Sequence, residues 1–167
     1  MIYLLFTIGV DRYALEAGRV VEVLPRAELK KVPQTPPGIA GILDYYGAPV
    51  PVVDLSAMAL DIPAKESMST RLLVVRYGEN LLGILAESAT ETIRLNAEDF
   101  VDPGVSANPG APYLGPVAHL NSHGQATRSN PGNIGRAGNR IVQRVEVEKL
   151  LSPEIRERLW QPAQEAQ

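Results

Sequence analysis

Two histidines four residues apart, His119 and His123 in "HLNSH", are the first place where this sequence could hold chemistry. On a helix, that spacing turns both imidazoles to one face, as metal sites require. Pro116, Asn121 and Gly124 interrupt any helix there, no carboxylate lies close by, and two ligands do not fill a coordination sphere. The pair is read as part of an exposed loop, and no metal and no cofactor are expected. The run "GNIGRAG" (132–138) resembles a phosphate loop only in its glycines, since no strand enters it and no helix with a GK[ST] ending leaves it. Glu98 and Asp99 in "NAEDF" read as a turn or helix start, and no G-x-S-x-G elbow is present. With no cysteine in the chain, thiolate nucleophiles, disulfides and sulfur-rich metal sites are excluded. No catalytic residue is assigned, and the chain is read as a non-enzyme.

Two features suit contact rather than catalysis. Tyr45 and Tyr46 sit in "DYYGAP", between two apolar runs, where Gly47 can take the positive φ of a tight reversal. Period-two alternation sends neighbouring side chains to opposite faces, so Tyr46 is expected outward and Tyr45 partly buried. An outward tyrosine at a strand reversal makes an amphipathic anchor for a protein interface. The second feature is electrostatic. From Pro103 to Val145 there is no Asp or Glu, while Arg128, Arg136, Arg140 and Arg144 all fall there. This basic stretch reads either as a solvated insertion or as a loop that docks on an acidic partner or membrane surface.

The elements that must carry these residues are short strands. Ile2 to Thr7 and Arg12 to Glu16 form a hairpin around Gly9 to Asp11, residues 19–25 form a strand stopped by Pro25, and 26–38 is a proline-punctuated loop. Ile39 to Leu43 and Val50 to Leu55 flank the tyrosine turn. Pro49 and Pro51 lack amide donors, which confines them to a strand start or an edge. After a helical turn near 55–60 and a linker at 61–70, strands follow at 71–78, 80–88, 90–95, 113–121 and 140–147. Ser152 and Pro153 supply the N-cap and first position of a terminal helix at 153–160.

The chain of 167 residues, with 14 Gly, 14 Pro and a net charge of -3, suits an all-β protein with no bulk affinity for nucleic acid. Its apolar start lacks a basic n-region and a cleavage site, and no window of eighteen apolar residues occurs, so neither a signal peptide nor a membrane span is expected. About ten strands, split near 61–70 into two groups, predict two small five-stranded barrels packed together. Their expected limits are 1–64 and 65–152, with a flexible insertion at 104–139, a tail at 153–167, and exchange of terminal strands between the barrels. A crevice between such barrels is a common ligand site, so a small-molecule sensor is the alternative reading.

The segments "YLLFTIGVDRYALEAGRVVEVL", "VPQTPPGIAGILDYYGAPVPVVDL", "LLVVRYGENLLGILAESATETIRL" and "RIVQRVEVEKLL" together resemble the CheW-like adaptor domains of bacterial chemotaxis and chemosensory systems. The likeness spans nearly the whole chain, and its most specific parts are "PGIAGILDYYGAPVPVVDL" and "VEVEKLL". It implies two tandem SH3-like barrels and a non-enzymatic role in the cytoplasm, at membrane receptor arrays. The implied partners are the cytoplasmic tip of a methyl-accepting chemoreceptor and the regulatory domain of a histidine autokinase. By position, it places partner contacts at Val20, Glu22 and Val23 and at Gly41, Asp44, Tyr45, Tyr46 and Gly47. Such domains usually carry an Asn, an aliphatic residue, Arg and Gly where this chain has Asp44, Tyr45, Tyr46 and Gly47. A phenol thus replaces a guanidinium fork, which implies an adaptor matched to its own receptor and kinase, in an alternative chemosensory pathway.

Overall fold

Strand pairing sorts the chain into two sheets that share one long strand. The structure is a computed structural model that describes residues 1–102, 111–121, 125–126 and 141–160. Ten strands are present among them: β1 (Ile2–Ile8), β2 (Asp11–Glu16), β3 (Val20–Pro25), β4 (Ile39–Tyr45), β5 (Ala48–Asp54), β6 (Arg71–Tyr77), β7 (Asn80–Arg94), β8 (Phe100–Val101), β9 (Leu114–His119) and β10 (Ile141–Val145). Two short helices, α1 (Leu55–Leu60) and α2 (Pro153–Trp160), lie where the sequence predicts a helical turn near 55–60 and a capped helix at 153–160. Asp54 caps α1 by accepting the Ala57 amide at 3.1 Å, and Ser152 Oγ accepts the Ile155 amide at 3.3 Å ahead of α2.

The first sheet runs β7-β1-β2-β10-β9-β8 and the second β3-β6-β7-β5-β4. These are the two SH3-like barrels of an all-β fold. Each includes one parallel pairing, β2 with β10 and β5 with β7, beside its antiparallel hairpins. The expected boundary at 64/65 falls in the connector between α1 and β6. Pairing carries the N-terminal hairpin, Ile2–Glu16, into the sheet built from the later strands.

The strands expected at 80–88 and 90–95 are one continuous strand, β7, of fifteen residues. Residues 80–86 pair with β6, and residues from Glu87 to Arg94 pair with β1. Small residues at Ser88 and Ala89 look like a break in sequence, but here they form a bulge. Ser88 adopts φ 52°, and the register against β1 shifts between Leu5 and Thr7. The bulge redirects the strand from one barrel to the other without ending it.

The main core lies between the barrels. Leu4, Phe6, Ile8 and Leu15 of the first sheet pack with Val53, Leu73, Val75, Leu82 and Ile84 of the second, and Val147, Leu150 and Leu151 close over them. A buried aliphatic side chain contributes roughly 1.5–3 kcal/mol, so a cluster drawn from both sheets holds the two barrels together. The space required by the sensor alternative is therefore packed with protein side chains. Two smaller cores fill the barrels themselves, one around Tyr3, Leu5 and Ala118, the other around Leu43, Val50, Val52, Leu72 and Val74.

Two buried carboxylates pin the connector against the second barrel. Asp54 Oδ2 accepts the Ala64 amide at 2.8 Å, and Glu87 Oε1 accepts the next amide, that of Lys65, at 2.6 Å. The backbone donors thereby satisfy carboxylates that are themselves buried.

Candidate functional site

The tyrosine turn is a two-residue hairpin. Tyr45 pairs with Ala48, and the two loop residues, Tyr46 (φ 51°) and Gly47 (φ 88°), both hold positive φ, the signature of a type I′ turn. Asp44 Oδ1 accepts the Gly47 amide at 2.9 Å and locks the reversal. Glycine takes this conformation at no steric cost, whereas a bulky residue such as Tyr46 is strained in it. The sequence thus places strain at the tip of a hairpin, where it exposes an aromatic ring.

Alternation along β4 sends Leu43 and Tyr45 inward and Asp44 outward. Tyr45 is half-buried and packs against the core of the second barrel, while Tyr46 is 84% exposed. Both side chains lie as alternation predicts. Their rings meet edge to face, with centroids 4.8 Å apart and planes at 77°. The prolines also fall as expected. Ile42 exchanges backbone hydrogen bonds with Lys30 rather than with β5, so its partner Pro51 needs no donor. The parallel pairing of β5 with β7 begins only at Val52, leaving Pro49 and Pro51 on the unpaired side.

Glu22 links this hairpin to β3. The Tyr45 hydroxyl donates to Glu22 Oε2 at 2.5 Å, and the Tyr46 hydroxyl donates to Oε1 at 3.4 Å. The hydrogen bond to Glu22, aided by partial burial and by the carboxylate's charge, pushes the Tyr45 phenol up to about 12. One carboxylate therefore fixes the orientation of both rings.

The expected site residues separate into three groups. Glu22, Asp44, Tyr45, Tyr46 and Gly47 come together at one rim of the second barrel. Val23 is exposed on the other face of β3 beside exposed Val21, while Val20 is half-buried against the main core. Gly41 is buried at the far end of β4, at φ 152°, where an added Cβ would lie 2.7 Å from the Lys30 carbonyl oxygen. It allows the 29–30 segment to cross β4. Between that segment and the hairpin runs a groove of about 590 Å³ lined by Glu28, Leu29, Lys30, Ile42, Asp44 and Pro49. The phenol–carboxylate contact joins residues 23 and 24 positions apart, and no local pattern in the sequence signals it.

His119 is not part of an exposed loop: it ends strand β9, half-buried, because the 114–119 run pairs with β10, and His123 lies outside the described residues, as do Arg128, Arg136 and Arg140. Arg144 sits over the Phe100 ring, 5.3 Å from its centroid, and pairs with Glu146 at 3.1 Å. Among the described residues, no group of three or more His, Asp or Glu is placed to hold a metal ion, and no helix is long and apolar enough to cross a membrane.

Among the described residues the fold is a double barrel whose interior is filled by apolar side chains and whose second barrel carries an aromatic rim. A profile of the CheW-like domain matches residues 3–154, and the chain belongs to that family. Among its relatives, the chemotaxis protein CheW of Klebsiella aerogenes is 24% identical over 153 residues, covering 91% of this chain and 82% of that protein. The chemotaxis protein CheW of Helicobacter pylori is 26% identical over 153 residues, covering 90% and 81%. Protein FrzA of Myxococcus xanthus is 27% identical over 121 residues, covering 72% and 76%. The crystal structure of the scaffolding protein TtCheW from Thermoanaerobacter tengcongensis superposes with a TM-score of 0.69 at 18% identity, over 87% of this chain and 84% of that one. The last comparison bears on the fold, which the two share.

Proposed function

We propose that this protein is a non-enzymatic coupling adaptor of a bacterial chemosensory complex. In this reading it joins the cytoplasmic tip of a chemoreceptor to the regulatory domain of a CheA-type histidine autokinase through two separate faces. It works in the cytoplasm, recruited to receptor arrays, and serves an alternative pathway. Membership of the CheW-like family across residues 3–154 is the observation that carries the proposal. Relatives named as chemotaxis proteins, and a solved scaffolding protein of the same fold, support it.

The rim formed by Glu22, Asp44, Tyr45, Tyr46 and Gly47 is the proposed contact surface, with exposed Val23 on the opposite face of β3 as a second one. Val20 and Gly41 act from beneath by holding β3 and β4 in place. Tyr46 is the anchor: a rigid, amphipathic ring that is already ordered loses little side-chain entropy on binding. Purified receptor tip and kinase regulatory domain from the same genome, titrated calorimetrically with the wild type and with Tyr46→Ala, test the assignment. Binding of both by the wild type, and a loss of about 1–3 kcal/mol for at least one in the variant, is the expected result. Equal affinities for wild type and variant would remove the hairpin from the interface, and failure of the wild type to bind either domain would remove the adaptor reading.

A further inference from the structure

We infer that the Tyr46–Glu22 rim receives a cationic side chain, an arginine presented by the partner protein. The inference deepens the adaptor reading, on which it rests only in taking the rim for a contact surface.

Glu22 carries the argument. Its carboxylate has about four acceptor positions, and the two phenols occupy one on each oxygen. Among the described residues the ion pairs engage Arg12, Arg19, Arg26, Arg144 and Lys149, and none of them involves Glu22. The carboxylate is therefore held in place by the two phenols and keeps acceptor positions for further donors. Beside it, joined through its hydroxyl, is Tyr46, 84% exposed, and the face of such a ring attracts a guanidinium. The outward neighbour on the hairpin, Asp44, is acidic as well, and its Oδ1 faces the turn amide. A planar guanidinium can donate a bidentate pair of hydrogen bonds to a carboxylate while stacking on an aromatic ring, which an ammonium cannot do. At the rim itself an anionic partner group would meet the Glu22 and Asp44 carboxylates and hydroxyls already committed to Glu22, the cation Lys30 lying in the adjoining groove.

The test uses the intact protein and small probes, so it does not depend on knowing the partner. Tyrosine ring and Glu side-chain carboxyl resonances are followed by NMR while N-acetyl-arginine methylamide is added, and the titration is repeated with N-acetyl-aspartate methylamide. Saturable shifts at Tyr46 and Glu22 with the arginine probe alone are expected. In Glu22→Gln the same titration should weaken by about fivefold, the scale of one exposed ion pair. Tyr46→Arg supplies its own guanidinium to Glu22 and should abolish the response, with the spectrum away from the hairpin unchanged. Absence of a response to arginine up to its solubility limit, or an equal response to aspartate, overturns the inference. Arginine recognition without binding of receptor or kinase domains would keep the site and discard the adaptor reading. Binding of those domains without arginine recognition would do the reverse.

Discussion

Tyr45 is the residue whose surroundings make the sharpest statement about pH. Its phenol is raised from its ordinary value of 10.0 to about 12, first by the hydrogen bond to Glu22. A raised folded value means that folding favours the protonated phenol. The contribution is fully present below the unfolded value near 10 and is lost as pH rises through about 12. In an alkaline titration followed by tyrosine ring NMR, Tyr45 should ionise late, as should Tyr13, Tyr77 and Tyr113, which burial also raises. Glu22→Gln should bring the Tyr45 ionisation back towards 10, and a Tyr45 titration that does not move in the variant would detach the two residues from each other. Tyr46 shows a different economy. Its φ of 51° costs it what a glycine or asparagine would not pay, and the ring contact with Tyr45 offsets part of that strain.

At the scale of the element, β4 depends on one atom that is missing. Gly41→Ala would put a Cβ 2.7 Å from the Lys30 carbonyl and 3.0 Å from Leu29 Cβ, at a φ that alanine rarely adopts. The reciprocal Lys30–Ile42 hydrogen bonds must then lengthen, and the variant should lose about 1–3 kcal/mol in urea unfolding. Faster exchange of the Lys30 and Ile42 amides would locate the damage. The hairpin was legible in sequence because its signals are local: Gly47 for the reversal, alternation for the two tyrosines, prolines for the unpaired side. The same is true of α2, announced by Ser152 and Pro153. Glu22 could be placed at the rim only through the family resemblance, and its bonds to Tyr45 and Tyr46 could not be read at all, because β3 and β4 meet across the proline-rich loop. The continuity of β7 was hidden for a related reason. Ser88 and Ala89 look like strand breakers, and only the pairing of β1 with the second half of the strand keeps it extended.

For the whole molecule, the shared strand and the shared core decide how it comes apart. β7 contributes to both sheets, and the largest hydrophobic cluster draws on both barrels. Neither barrel can open without exposing the other's core, so a single cooperative transition is expected. Far-ultraviolet circular dichroism and the fluorescence of Trp160, the one tryptophan, which stacks on Tyr77 with centroids 5.3 Å apart, should give coincident unfolding curves. Two separated transitions would show that the barrels are independent. The two ends of the described chain, Met1 and α2, are fastened differently. The Met1 amino group bonds the Leu95 carbonyl, and β1 lies between β2 and β7, so a pull on the N-terminus loads many rungs in shear at once. A pull on the other end meets α2, where Ile155, Leu159 and Trp160 are only half-buried and give way one after another. Under tension the described chain should behave as a strap with one sewn end and one peelable end, with Trp160 leaving Tyr77 as the first sign of slip.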